Sequence, residues 1–191
     1  LYRCVKVASG VDGVCEVFSE FSMHFLNQVT DILLNKNFMK NVKDLVAGAL
    51  AVIGVQTYES SGSTVIQEFI MKISEVQELE TYVLIMVSDM LLGGQSTYGF
   101  PTDFLFKLVT KDLVYEESIV PRAYLLFSIS DITKDEEFFV NMLNCLIESI
   151  PSQYLPQILS AIDGFSEKNA IMFRGILPKM VQYLCQIALN T

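Results

Sequence analysis

Residues 38–55 read FMKNVKDLVAGALAVIGV. Val42, Leu45, Val46, Ala49, Leu50 and Ile53 recur at spacings of three and four, the period of one helical face. The other side carries Ala47, Ala51 and Val52, so the helix expected over 38–55 is apolar nearly all round. A helix of that kind is expected to be central, with neighbours on every side. Gly48 and Gly54 lower its intrinsic stability but permit close backbone approach. A second stretch of the same character lies at 79–92. Two such helices predict a multi-layer helical core.

Outward from this stretch the pattern stays helical. Residues 14–35 form the first expected helix, with Val14, Val17, Phe18, Phe21, Phe25, Gln28, Val29, Ile32 and Leu33 on one face. Asn35 and Asn37 end it with turn chemistry. Residues 59–63, Glu-Ser-Ser-Gly-Ser, read as a loop. Thr64 and Gln67 have the spacing of a capping box, followed by helices over 64–75 and 77–92. Residues 93–101, Gly-Gly-Gln-Ser-Thr-Tyr-Gly-Phe-Pro, are the clearest break.

Further helices are expected at 102–114, 116–131, 135–150, 152–164 and 169–190. Thr133 and Glu136 have the spacing of a second capping box. Pro151 stops the helix before it. Pro121 and Pro156 fall near helix starts, and Pro178 is expected to kink the last helix. The fold class is all-α: eight or nine helices in antiparallel hairpins, as an irregular bundle or a short α-solenoid. One domain over 1–191 is expected, with lobes 1–92 and 102–191 joined by loop 93–101. Leu50, Leu84, Leu146 and Leu184 are expected to be buried. Phe25-Leu26 with Asp31-Ile32-Leu33 echoes Phe104-Leu105 with Asp112-Leu113-Val114 at an offset of 79 to 81 residues. Two repeats of about 40 residues would produce this offset, although generic amphipathic periodicity also produces such matches.

Of 191 residues, 51% are hydrophobic and 18% charged, with 13 Lys and Arg against 22 Asp and Glu, a net charge of −9. This composition excludes an intrinsically disordered chain and argues against a nucleic-acid binder, which needs clustered basic residues. No apolar run approaches the roughly 18 to 20 residues of a transmembrane helix. The chain opens on Leu1, as a fragment or a processed form would. The apolar excess over charge points to surface left for a partner or a hydrophobic ligand.

Motifs for chemistry are sparse. His24 is the sole histidine, and no nucleophile or base stands at triad spacing to it. It is expected to bond a helix neighbour, Glu20 or Gln28. The acidic groups at Glu75, Glu78 and Glu80, at Glu116-Glu117 and at Asp135-Glu136-Glu137 read as solvated positions. Those at Glu116-Glu117 and Asp135–Glu137 suit the positive end of a helix dipole. There is no HExxH, CxxC, EF-hand or P-loop motif, so no catalytic, cofactor or metal residue is assigned and no cofactor is expected. Arg122 and Arg174 are expected to pair with acids or reach solvent. Loop 93–101 reads as a connector. Its functional alternative is a binding loop carrying Tyr98 and Phe100.

Four cysteines stand at Cys4, Cys15, Cys145 and Cys185. Buried free thiols are the expectation, and Cys185 lies in an apolar helical run. Cys4 and Cys15 flank a Gly-containing turn and are the disulfide candidate in an oxidising compartment.

The hairpin pattern of 135–190, seen in Phe138–Phe165 and Asn169–Leu189, resembles HEAT-like α-solenoid repeats. The inter-helix Asp and Arg positions usual in HEAT units are not convincingly present. The resemblance implies a protein-binding role without catalysis. Two functions are therefore expected in competition. One is a non-enzymatic interaction module, a scaffold or adaptor. The other is a secreted helical protein that binds a lipid or other hydrophobic ligand, or self-associates through apolar helix faces.

Overall fold

A run of three to four apolar residues per two turns must find a partner surface, and here it finds other helices. The computed structural model describes residues 14–92, 96–112 and 114–133, with Ser152–Tyr154 and single positions between 137 and 185. Among the described residues there are six α-helices, three 3-10 turns and no strand. The helices are α1 (Val14–Leu34), α2 (Lys40–Ser61), α3 (Val65–Ile73), α4 (Glu80–Leu91), α5 (Thr102–Thr110) and α6 (Ile119–Thr133). Each matches one expected helix with its ends moved. The helices expected at 135–150, 152–164 and 169–190 lie mostly outside the described residues, as do the Thr133–Glu136 capping box and the burial of Leu146 and Leu184.

The chain divides into two compact units, Leu1–Met90 with Tyr98–Phe100, and Leu91–Thr97 with Pro101–Thr191. The segment read as a joint is thus itself shared between them.

In the first unit α1 buries Leu26, Val29 and Leu33, one turn apart on one face, while Gln28 is exposed. The helix stops where Asn35 accepts the Asn37 N–H on its side-chain oxygen at 2.9 Å, a local bond that competes with the helix ladder. Helix α2 runs six residues past its expected end at 55. Ser60 and Ser61 both donate to the Thr57 carbonyl, so the serines read as loop formers are the last helical turn. Gly62 then closes the helix at φ 68°, its N–H on the Tyr58 carbonyl at 2.8 Å. A left-handed terminus of this kind suits glycine.

The Thr64–Gln67 capping box does not form. Thr64 donates to Glu68 Oε1 at 2.8 Å, and Gln67 is buried, its amide reaching the Gly54 carbonyl at 3.5 Å. Gln67 faces α2 because Ile66, Phe69, Ile70 and Ile73 place that side of α3 in the core.

The central helix of this unit is α4. Leu84 is 1% exposed, and Val83, Met86, Val87 and Met90 are buried with it, leaving one side on which Tyr82 and Ile85 are half-buried and Asp89 is exposed. Each of the buried side chains contributes about 1.5–3 kcal/mol. Helix α2, expected to be equally central, is not. It buries Ala47, Leu50, Ala51 and Gly54 and exposes Leu45, Ala49 and Val52. The inner face is built of small residues, which seat the helix closely. A methyl group at Gly54 would meet Met90 Cε at 2.7 Å and Ile66 Cγ2 at 3.0 Å.

In the second unit α5 buries Leu105, Leu108 and Val109. It stops at Thr110, short of the expected 114, where Lys111 turns extended at ψ 140°. Helix α6 is buried on most sides, through Ile119, Ala123, Leu125, Leu126, Phe127 and Ile129. Pro121 occupies its first turn, where a missing N–H costs nothing. Arg122 is half-buried and bonds to the backbone of the preceding helix. Its Nε donates to the Val109 carbonyl at 2.7 Å, with Nη2 on the same oxygen, satisfying an end group of α5.

Candidate interaction surface

The outer face of α2 is the feature that the core leaves over. At about 100° per residue, Leu45, Ala49 and Val52 fall within a narrow arc directly opposite Leu50 and Gly54. Leu45 is 73% exposed and Val52 56%. Half-buried Val42, Val46, Ile53 and Val55 flank them. The two charges inside the stretch lie off this arc. Lys43 turns inward, its nitrogen 5.8 Å over the Tyr82 ring of α4, and Asp44 is half-buried. Three helical turns therefore present only apolar side chains.

At the amino end of α2 the same surface continues into the preceding turn. Leu34, Phe38 and Met39 are all exposed. Lys36 and Lys40 stand among them, and no acidic residue occurs between Asp31 and Asp44. At the carboxyl end stands exposed Glu59. The helix is basic at one end, acidic at the other and apolar between.

Tyr98 and Phe100 are placed differently from one another. Phe100 is 2% exposed, a core side chain of the first unit. Gly99, at φ 88°, lies so close to α2 that a methyl group there would meet Tyr58 Cε2 and Thr64 Cγ2 at 3.0 Å each. Tyr98 holds φ 48°, a left-handed conformation that costs a non-glycine residue energy. Its ring meets Tyr58 edge-on, centroids 6.0 Å apart. Burial raises its phenol above the ordinary value of 10.0, and the Glu59 charge and hydrogen bond add to the shift. The segment thus clasps the end of α2, and of the two aromatic side chains Tyr98 alone is half-buried while Phe100 is buried.

The remaining candidates stay dispersed. His24 is exposed and within 3.1 Å of Gln28 Nε2, the helix neighbour expected for it. Asp89 is exposed as a residue, but its carboxyl leans towards Gly48 of α2, and this partial burial raises it above 3.8. Among the described residues no three His, Cys, Asp or Glu side chains gather as a metal site, and no helix is long and apolar enough to cross a membrane. Cys185 is a free thiol and exposed, against the expectation of burial. It shares an exposed side with Arg174, Leu177 and Val181. Cys4, the side chain of Cys15 and Cys145 lie outside the described residues.

The periodicity of 38–55 signalled the apolar face of α2 but assigned it to the core. The signal that separates its two sides is residue size: alanine and glycine dominate the inner arc. No family model, curated protein or solved structure matches the chain.

Proposed function

We propose that this chain is a non-enzymatic helical interaction module, a scaffold or adaptor that receives a protein on the outer face of α2. The observation that carries the reading is the exposure of Leu45 and Val52 on a three-turn face without charge. Apolar side chains exposed singly are ordinary, whereas a contiguous set marks a docking surface. The HEAT-like hairpin pattern of 135–190 supports the same reading, since such repeats offer helix faces to protein partners.

The test is site-specific crosslinking in an extract of the cells that make the protein. A photoreactive side chain at position 45 is expected to yield a discrete protein adduct. Excess unmodified chain should compete it away, and chain carrying Leu45→Lys with Val52→Lys should not. Adduct formation at position 45 no stronger than at exposed Lys111 of the second unit would overturn the reading.

A further inference from the structure

Tyr98 and Gly99 are consecutive residues in the left-handed region, at φ 48° and 88°. Glycine meets no steric penalty there, whereas the Cβ of a tyrosine crowds the following carbonyl oxygen. Such a residue keeps this conformation only where its surroundings fix it. Here the fixing groups stand in the last turn of α2. The Tyr98 ring meets Tyr58 edge-on, centroids 6.0 Å apart, and its phenol donates to Glu59. We infer that residues 98–100 are a strained latch, anchored at Phe100 and hinged at Gly99, that releases at Tyr98 and frees the last turn of α2 while the core stays folded.

The two ends of the latch differ in what holds them. Phe100 is 2% exposed. It precedes Pro101, which confines its backbone to extended angles, so this end moves only with the core. Tyr98 is half-buried and Glu59 exposed, so water competes for their hydrogen bond. Ser60, Ser61 and Gly62 are exposed as well. The bond that closes α2, from the Gly62 N–H to the Tyr58 carbonyl at 2.8 Å, lies in this solvated turn. Segments bonded near the surface open at lower free energy than segments held by the core.

Gly99 supplies the hinge between the two ends, since its backbone passes freely between left- and right-handed angles. A methyl group there would meet Tyr58 Cε2 and Thr64 Cγ2 at 3.0 Å each. The closed strap therefore lies directly on the turn that it holds. A backbone that favours opening is set against side-chain contacts that favour closing, and that opposition defines two states.

Native-state hydrogen exchange of the full chain tests the latch. The Gly62 amide is expected to exchange through an opening with little dependence on urea. The Leu84 amide, in the core helix α4, should exchange through global unfolding, with the full dependence. Tyr98→Phe keeps the ring and loses the bond to Glu59, and should speed Gly62 exchange by about fivefold, the loss of one hydrogen bond. Tyr98→Ala and Tyr98→Gly both lose the ring and the phenol, and differ in the cost of the left-handed backbone. Gly62 should exchange at least about threefold more slowly in Tyr98→Gly than in Tyr98→Ala. At an ordinary backbone position the order is the reverse, because glycine has more freedom to lose. Wild-type Gly62 exchange with the same urea dependence as Leu84 would overturn the inference, since that end of α2 would then open only with the whole fold. So would unchanged Gly62 exchange in Tyr98→Phe. Exchange in Tyr98→Gly as fast as in Tyr98→Ala, or faster, would overturn it too, by removing the strain.

Discussion

At the scale of single residues, Asp89 shows how a charge reports on packing. Its carboxyl lies near Gly48 of α2, and burial raises it above 3.8. The folded chain then holds that proton more tightly than the unfolded chain. Between 3.8 and the raised folded value, stability falls as pH rises, because the unfolded state releases its proton first. Asp89 as a whole is exposed, so solvent screens most of this effect and the ionised carboxylate is only a small cost at neutral pH. Asp89→Asn is expected to melt higher than wild type at pH 7, with the difference vanishing as pH falls through 3.8. Equal melting temperatures across that range would mean that desolvation does not act on this group. None of this was legible in the sequence. Asp89 sits in an apolar run like any break in a pattern, and only the approach of α2 makes its solvation unusual. The case of Arg122 is parallel. Its apolar neighbours announced a constrained charge, but its acceptor is a backbone carbonyl thirteen residues away, and no side-chain pattern records that.

At the scale of elements, α2 turns on which of its glycines is in contact. Gly54 faces Met90 and Ile66 closely enough that a side chain must displace them. Gly48 has ordinary room, with Asp89 Oδ2 at 3.4 Å from a methyl group placed there. Gly54→Val is expected to lose about 1–3 kcal/mol by overpacking. Gly48→Ala is expected to gain up to about 1 kcal/mol from helix propensity. Urea unfolding of the two variants checks the contrast. Both glycines looked alike in the sequence, as permissive points in one apolar run. The helix ends were legible where a single residue decides them, as with Asn35. They were less so where side chains fold back on the helix, as Ser60 and Ser61 do.

At the scale of the whole molecule, two helices of similar apolar character have different fates. Helix α4 brings leucine, methionine and valine to its neighbours and is buried on all but the side of Tyr82, Ile85 and Asp89. Helix α2 brings alanine and glycine to its neighbours and leaves Leu45 and Val52 outside. Leu84→Ala is therefore expected to cost about 2–5 kcal/mol. Leu45→Ala should stay within about 0.5 kcal/mol. Denaturant titration of both variants tests the assignment of inside and outside. The all-α class, the six described helices and the break after α4 follow from periodicity and turn residues, which are local properties. Burial is different. It depends on which neighbours arrive and how closely they approach, and a helix that is apolar all round carries no mark of which side they take. The sequence by itself determined that apolar surface exceeds what charge can cover. Only the tertiary structure decided that, among the described residues, part of the excess lies on the outer arc of α2, because Gly54 and the alanines of the opposite arc let Ile66 of α3 and Met90 of α4 approach closely.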